Sequence, residues 1–475
     1  MRLSQIAGAS AWRPLQQRLF RRLWIASVAS NVGTWMHEAS AAWLMTSLTS
    51  SPTMIALMQT ATTLPIFVLA LPAGALADGV DRRRMLLATQ ALMFLTAAAL
   101  GIVALTGVIT PWLLLGLTFA LGMAAAVNSP AWQATTVELV PGKDLPAAVT
   151  LTGMGLNLAR TVGPALGGVM VALAGAWAVF FLNALSFLSV IAVLCDWRRG
   201  GSERRPAPQS VWNSVRTGVR YALGAPALRS VLIRTLLFVP FASALWALLP
   251  VVARHELDLN SFRYGLLFGC LGGGAVMGAL VLSALQRKFT RNALAAGATV
   301  WFSLAMVALA QVRQFGWLCV VLVGGGAGWI TLMASFNIAT QSAAPSWVRA
   351  RALAVYLFTF QGAMAVGSAV WGALAEGGGI STALLCAAAG LVIGLAGVKR
   401  YPLNEATRHR PVPSARWSEP AAAGKSHEPI RRPTAFCEPR HFAGATQTMR
   451  PGRLGDPLER GSYRSRPDHC SHADA

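Results

Sequence analysis

Two ionisable side chains sit deep in apolar stretches, Glu38 a few residues past the middle of one and Arg160 near the middle of another. A charged group in hydrocarbon costs roughly 2.5–3.5 kcal/mol on insertion scales, so it usually faces a cavity or a partner. Loss of water favours a protonated carboxyl, while a neighbouring guanidinium favours the charged form. A carboxyl held between those influences can take up and release a proton. The plainer readings are a hydrated carboxylate near an outer mouth for Glu38 and a tie to neighbouring carbonyls for Arg160. His37 points elsewhere on its helix and reads as an ordinary satisfied side chain. Gln59, Asn157 and Gln361 add neutral polar groups in other apolar stretches, suited either to lining a cavity or to joining helices.

A second set of charges forms the short loop Gly74-Ala75-Leu76-Ala77-Asp78-Gly79-Val80-Asp81-Arg82-Arg83-Arg84. Five charges within seven residues cannot lie in hydrocarbon, so the loop must meet water at a membrane surface. Three consecutive arginines beside a spanning segment argue for the cytoplasmic side. Gly74, Asp78, Asp81, Arg82 and Arg83 could form a gate, pairing with helix ends and carboxylates across an interface and holding one conformation. The alternative is a topological anchor and nothing more.

The loop has a weaker copy 204 positions on, from Gly278-Ala279-Leu280 to Gln286-Arg287-Lys288. The same offset carries Pro141 onto Pro345, Gly163 onto Gly367, Gly168 onto Gly372 and Asn157 onto Gln361. One offset relating separate regions indicates two copies of one bundle.

The elements that position these residues follow from composition. Of 475 residues, 55% are hydrophobic and 12% charged, and the mean hydropathy is +0.52. A soluble protein of this length would need far more surface charge. Apolar runs long enough to cross a hydrocarbon core of roughly 30 Å recur throughout. Twelve spans are expected, at 22–47, 53–77, 85–107, 111–131, 147–172, 175–195, 229–252, 263–284, 292–311, 315–338, 351–374 and 379–398. The fold class is thus an all-α membrane protein, built as two pseudo-repeated six-helix bundles over 1–195 and 229–400. Residues 196–228 form a linker, with Trp212, Val215 and Val219 on one face of an amphipathic helix. Residues 401–475, rich in Pro, Arg, His and Ser without apolar period, read as a disordered cytoplasmic tail.

Basic residues cluster in alternate loops, which places both termini in the cytoplasm of a cell whose inner membrane the chain spans. Trp24 and Trp197 are expected at the inner interface, and Trp112, Trp177 and Trp317 at the outer one. The net charge of +22 follows this topology and the tail, and no basic face with interleaved aromatics points to nucleic acid. The six cysteines show no CxxC spacing and no disulfide framework. His469, Cys470, His472 and Asp474 lie in a terminal tract unsuited to holding a metal. Gly424-Lys425-Ser426 lacks the upstream glycine of a phosphate-binding loop, Glu419 standing there. No enzyme motif, cofactor or metal is implied.

In span five, Gly163, Pro164, Gly167 and Gly168 offer a smooth face interrupted by a missing backbone donor. Gly265, Gly269 and Gly273 repeat the device in span eight. Small residues at this spacing let helices approach closely.

The loop resembles the signature of the major facilitator superfamily between its second and third spans, G-x-[LF]-x-D-[RK]-x-G-[RK]-[RK]. Gly74, Leu76, Asp78, Arg82 and Arg83 match it; Gly79 stands where a basic residue is usual, and Asp81 where glycine is usual. Two further stretches are similar to the branch of enterobactin exporters and drug-efflux carriers. One is Asn128-Ser129-Pro130-Ala131-Trp132-Gln133; the other runs from Asn157 through Arg160 to Gly168. The Gly-Pro-x-x-Gly-Gly element is similar to the fifth-span motif of antiporters. The resemblance covers roughly residues 15–400. It implies a secondary transporter that exports a small amphiphilic molecule of drug or siderophore type by proton antiport with alternating access. The expected partners are that small-molecule substrate, protons and the lipid bilayer, and the chain is expected to act as a monomer. Nutrient uptake or facilitated diffusion, and a non-transporting membrane scaffold, remain the alternatives.

Overall fold

Proline and small polar residues start most of the helices. Ser51, Asp81, Thr110, Asn260 and Thr290 each accept a hydrogen bond from a backbone N–H one turn on, and Pro52, Pro111 and Pro226 occupy first helical positions. These residues satisfy or dispense with donors that a helix N-terminus leaves unpaired. The computed structural model describes residues 12–197, 219–345 and 348–403. Within them lie twelve long helices and no strand.

The first six helices are α1 (Arg18–Leu48), α2 (Pro52–Gly79), α3 (Arg82–Leu105), α4 (Pro111–Leu139), α5 (Leu145–Ala174) and α6 (Ala176–Asp196). The second six are α7 (Pro226–Val251), α8 (Ser261–Lys288), α9 (Arg291–Gln311), α10 (Phe315–Ala343), α11 (Arg349–Gly378) and α12 (Ile380–Gly394). A short turn of helix, Ala396–Arg400, follows α12. Eleven of the twelve are long and apolar enough to cross a membrane. The exception by hydropathy is α1, which carries Asn31, Thr34, His37 and Glu38.

The expected spans match these helices closely, with one informative difference. The span at 111–131 is in fact α4, which continues past Pro130 to Leu139. A proline removes one intrahelical hydrogen bond, and the helix resumes beyond it. The extension carries Glu138 to the side chain of Arg82. The expected amphipathic helix around Trp212 and the expected disordered tail lie outside the described residues, apart from Val219 and the first residues after Arg400.

With twelve alternating crossings, α1 begins and α12 ends at the same end of the bundle, called here the terminal end; the opposite is the far end. Helix α1 packs on α5 and α6, and α7 packs on α11 and α12. Two contacts join the first six helices to the last six most extensively, α2 with α11 and α5 with α8.

The 204-residue offset is visible in the backbone. Gly175 (φ +94°) ends α5 and Gly379 (φ +86°) ends α11, a conformation that costs a side-chain-bearing residue but not glycine. Gly163 lies against Trp35 and Val32 of α1, while Gly367 lies against Ser243 and Pro240 of α7. Gly168 faces α8 and Gly372 faces α2. Equivalent glycines thus serve equivalent helix pairs. Of the expected interface tryptophans, Trp112 and Trp317 are exposed, but Trp197 is buried among Leu23, Met85 and Leu194.

Candidate functional site

Glu38 and Arg160 line one cavity, of about 300 Å³, at the centre of the bundle. Glu38 lies ten residues from the end of α1, about 15 Å along a helix. Arg160 lies midway along α5. No direct ion pair joins them among the described residues. The Arg160 guanidinium lies over the Trp35 ring, 5.0 Å from its centroid, and its buried Nε has no hydrogen-bond partner. An aromatic face attracts a cation and stands in for some of the lost water. Donor capacity nevertheless remains for a ligand.

The lining comes from α1, α2, α4 and α5 and from their repeat counterparts α7, α8, α10 and α11. Helices α3, α6, α9 and α12 contribute nothing to it. Gln59, Thr62 and Thr118 add polar groups from the first six helices, and Gln361 adds one from α11. Asn157, expected beside them, is not a lining residue. It lies one turn nearer the terminal end than Arg160 and at the same place along α5 as Gln361 along α11, yet only Gln361 reaches the cavity.

The wall facing Glu38 and Arg160 from the second six helices is largely aromatic, a feature that sequence reading missed. Trp246, Tyr264, Phe268, Trp329 and Phe360 surround the space from the second six helices. Trp246 meets both Phe268 and Trp329 edge-on, at 5.5 and 5.4 Å between centroids. Such contacts favour flat apolar molecules and leave the indole Nε1 of Trp246 without a partner. His37 does not join the cavity: it is buried against Phe180 at 4.6 Å, on the α6 side of α1.

Above the cavity the far end is closed. Trp43 of α1 stacks on Tyr264 of α8 at 5.2 Å, and the Arg254 guanidinium lies 5.1 Å from the Trp43 ring centroid. Ser51 donates to Glu376 at the end of α11, at 2.9 Å. Beside these, α5 and α8 touch backbone to backbone. A Cβ at Gly168 would lie 2.5 Å from the Ser261 carbonyl oxygen, and one at Gly265 would lie 2.6 Å from that of Pro164. A Cβ at Gly272 would lie 2.8 Å from the Arg160 carbonyl oxygen, whose usual helical donor Pro164 cannot supply. Gly163 and Gly167 instead face α1, so the motif binds α5 on two sides. Gly273, expected in this contact, is looser, and Gly272 takes its place.

Towards the terminal end the same helix faces part. Leu158 and Met154 continue the α5 stripe of Thr161 and Ala165, and each is 53% exposed. Leu280 continues the α8 stripe and is 75% exposed. On the other side, α2 and α11 stay together as far as Phe67 and Phe358, whose rings lie 4.2 Å apart.

The charged loop lies at this open end. Asp81 accepts from the Arg84 N–H and caps α3. Arg82 is buried and pairs with Glu138 of α4. Arg83 donates from Nε and Nη2 to the Leu194 and Cys195 carbonyls, both at 2.9 Å, closing the end of α6. These contacts of the two arginines stay within the first six helices, where sequence reasoning expected pairing across the interface. Gly74 and Asp78 lie on the last turns of α2, and the surroundings of the Asp78 side chain fall outside what the structure describes. No cluster of metal-ligating side chains occurs among the described residues.

Comparison with known proteins agrees with this architecture. Residues 9–429 match the family described as transmembrane secretion effectors. The multidrug efflux pump Tap of Mycolicibacterium fortuitum is 25% identical over 374 residues, 76% of this chain and 90% of its own. The enterobactin exporter EntS of Shigella flexneri is 24% identical over 324 residues, 66% of this chain and 74% of its own. A solved POT family transporter in complex with a thioalcohol-conjugated peptide superposes with a TM-score of 0.68 at 14% identity, over 81% of this chain and 96% of its own. The chain belongs to the transmembrane secretion effectors of the major facilitator superfamily, and is a multi-pass membrane transporter rather than an enzyme.

Proposed function

We propose that the protein is a proton-coupled exporter of small amphiphilic molecules, residing in the inner membrane with both termini in the cytoplasm. The observation that carries this reading is the placement of Glu38 and Arg160 in a central cavity shared by eight helices, four from each repeat. A buried carboxyl beside a cation that no other group neutralises can load a proton in one conformation and release it in the other. The aromatic wall supplies the complementary half of a site for an amphiphile. Efflux relatives support the outward direction, and the crowding of Arg and Lys at the terminal end supports a cytoplasmic location for it.

Under this orientation the structure is cytoplasm-open. Alternating access then rocks residues 1–195 against 229–400, separating the Trp43–Tyr264–Arg254 stack and the α5–α8 contact while the terminal ends of α5 and α8 come together. Gly74, Asp78, Asp81, Arg82 and Arg83 hold the loop that docks when they meet. The test is accumulation of a panel of amphiphilic dyes in intact cells, with and without a protonophore. Export predicts lower accumulation in cells expressing the protein, abolished by the protonophore. Increased accumulation would establish uptake and overturn the reading.

A further inference from the structure

A second cavity has no part in the central site. It is a groove of about 550 Å³ between α8, α9 and α10, opening sideways among outward-facing apolar residues. Met277, Val281, Phe289 and Trp301 rim it and are each more than half exposed. Glycines line its floor: Gly278 packs on Ala327, Gly324 lies under the Trp301 indole, and Gly297 faces open space.

Two properties identify what fills such a groove. The first is depth. It extends from Phe289, at the terminal end, to Trp301 on α9, and from Leu285 to Met277 on α8. Eight residues of helix span about 12 Å, close to one leaflet of a hydrocarbon core of about 30 Å. The second is charge. The α8–α9 turn that closes the groove at the membrane edge carries Arg287, Lys288 and Arg291. Arg287 and Lys288 are exposed and have no polar partner among the described residues, and Arg291 reaches only Ser342, at 3.5 Å.

We infer that this groove binds one anionic phospholipid, its acyl chain lying between α8, α9 and α10 and its phosphate headgroup held by Arg287, Lys288 and Arg291. A slot lined by glycine and aromatic rings takes a flexible chain without displacing a side chain. The three cations then select the headgroup, since basic pockets at helix ends recognise anionic lipid. The inference rests on membrane residence alone and not on the direction or coupling of transport.

The test uses the purified full-length chain in detergent, stripped of lipid and titrated with phosphatidylglycerol or phosphatidylethanolamine, with bound lipid counted by native mass spectrometry. One phosphatidylglycerol is expected to bind in preference to phosphatidylethanolamine. Gly297→Leu should abolish it, because a Cβ at this position meets no other atom within 4 Å and the longer side chain enters the groove. Gly297→Ala, which leaves the groove open, should retain it and controls for folding. Arg287→Gln and Lys288→Gln should each weaken phosphatidylglycerol binding about fivefold while leaving phosphatidylethanolamine unchanged. Equal binding of the two lipids by the parent, or undiminished binding by Gly297→Leu, overturns the inference. So does dimerisation of the parent that Gly297→Leu abolishes, which would make the groove a contact between copies.

Discussion

Glu38→Gln tests the proposed coupling site most directly. The substitution keeps the shape and a hydrogen-bonding terminus but fixes the cavity in a neutral form at that position. In the proposed mechanism the one carboxyl in the cavity carries one proton per cycle, and a gradient of one pH unit is worth about 1.4 kcal/mol per proton. That corresponds to about tenfold accumulation of a neutral substrate, the ceiling for a single-proton exchanger. The parent protein in liposomes with a one-unit pH gradient should approach that ratio. Glu38→Gln should reach no more than equal concentrations on both sides. It should still exchange labelled for unlabelled substrate, since Gln59, Gln361 and the aromatic wall are untouched. If Glu38→Gln accumulates substrate as the parent does, the proton travels elsewhere and the assignment of Glu38 fails.

Other consequences can be measured independently. Arg160→Ala should be more damaging than Glu38→Gln, losing exchange as well as accumulation, because it removes the cavity's cation and the ring contact with Trp35. Arg82→Gln and Glu138→Gln should each lower stability by about 2 kcal/mol, with the double variant little worse than either single, as read by thermal unfolding in detergent. Gly168→Leu should open the far end by forcing α5 off Ser261 and Gly265; a cysteine placed at Ala42 should become reactive to a membrane-impermeant maleimide added from that side. Trp246→Ala should narrow or shift the set of dyes transported while the accumulation ratio of those still carried is unchanged, measured in the same liposomes.

How much of this could be read from the sequence depended on what each signal measures. Helix count, approximate bounds and the repeat follow from apolar length and glycine placement, and the recurrence of positive φ at Gly175 and Gly379 shows that the offset reflects backbone geometry. Glu38 and Arg160 were legible because an ionisable residue in an apolar run has few acceptable surroundings. The aromatic wall was not. Where a helix is apolar on every face, no period separates Trp246 and Trp329, which face the cavity, from Trp301, which faces outward. The partner of Arg82 was hidden for a different reason: the expected span ended at residue 131, seven residues before Glu138, while α4 runs on past Pro130. Asn157 shows the limit of repeat arithmetic, since it holds the same place along α5 as Gln361 along α11 and still does not line the cavity.

The two halves divide the chemistry unequally, and the division suits coupling. The ionisable pair belongs wholly to the first six helices, while the aromatic rings facing it come mainly from the second six. Under the proposed alternating access, rocking would move the aromatic wall relative to Glu38 without having to separate Glu38 from Arg160. Helix association within a membrane gains little from hydrophobic burial, so close backbone contact carries much of it. The α5–α8 contact is of that kind, Gly168 on Gly265 and Gly272 on the Arg160 carbonyl, and it can part without exposing a large apolar core to water. Because Gly272 touches the backbone of Arg160 itself, the residue that answers to the charge on Glu38 is also the one against which the opposing half closes. In the proposed mechanism this contact is where proton occupancy would act on the far-end seal, through one turn of α5.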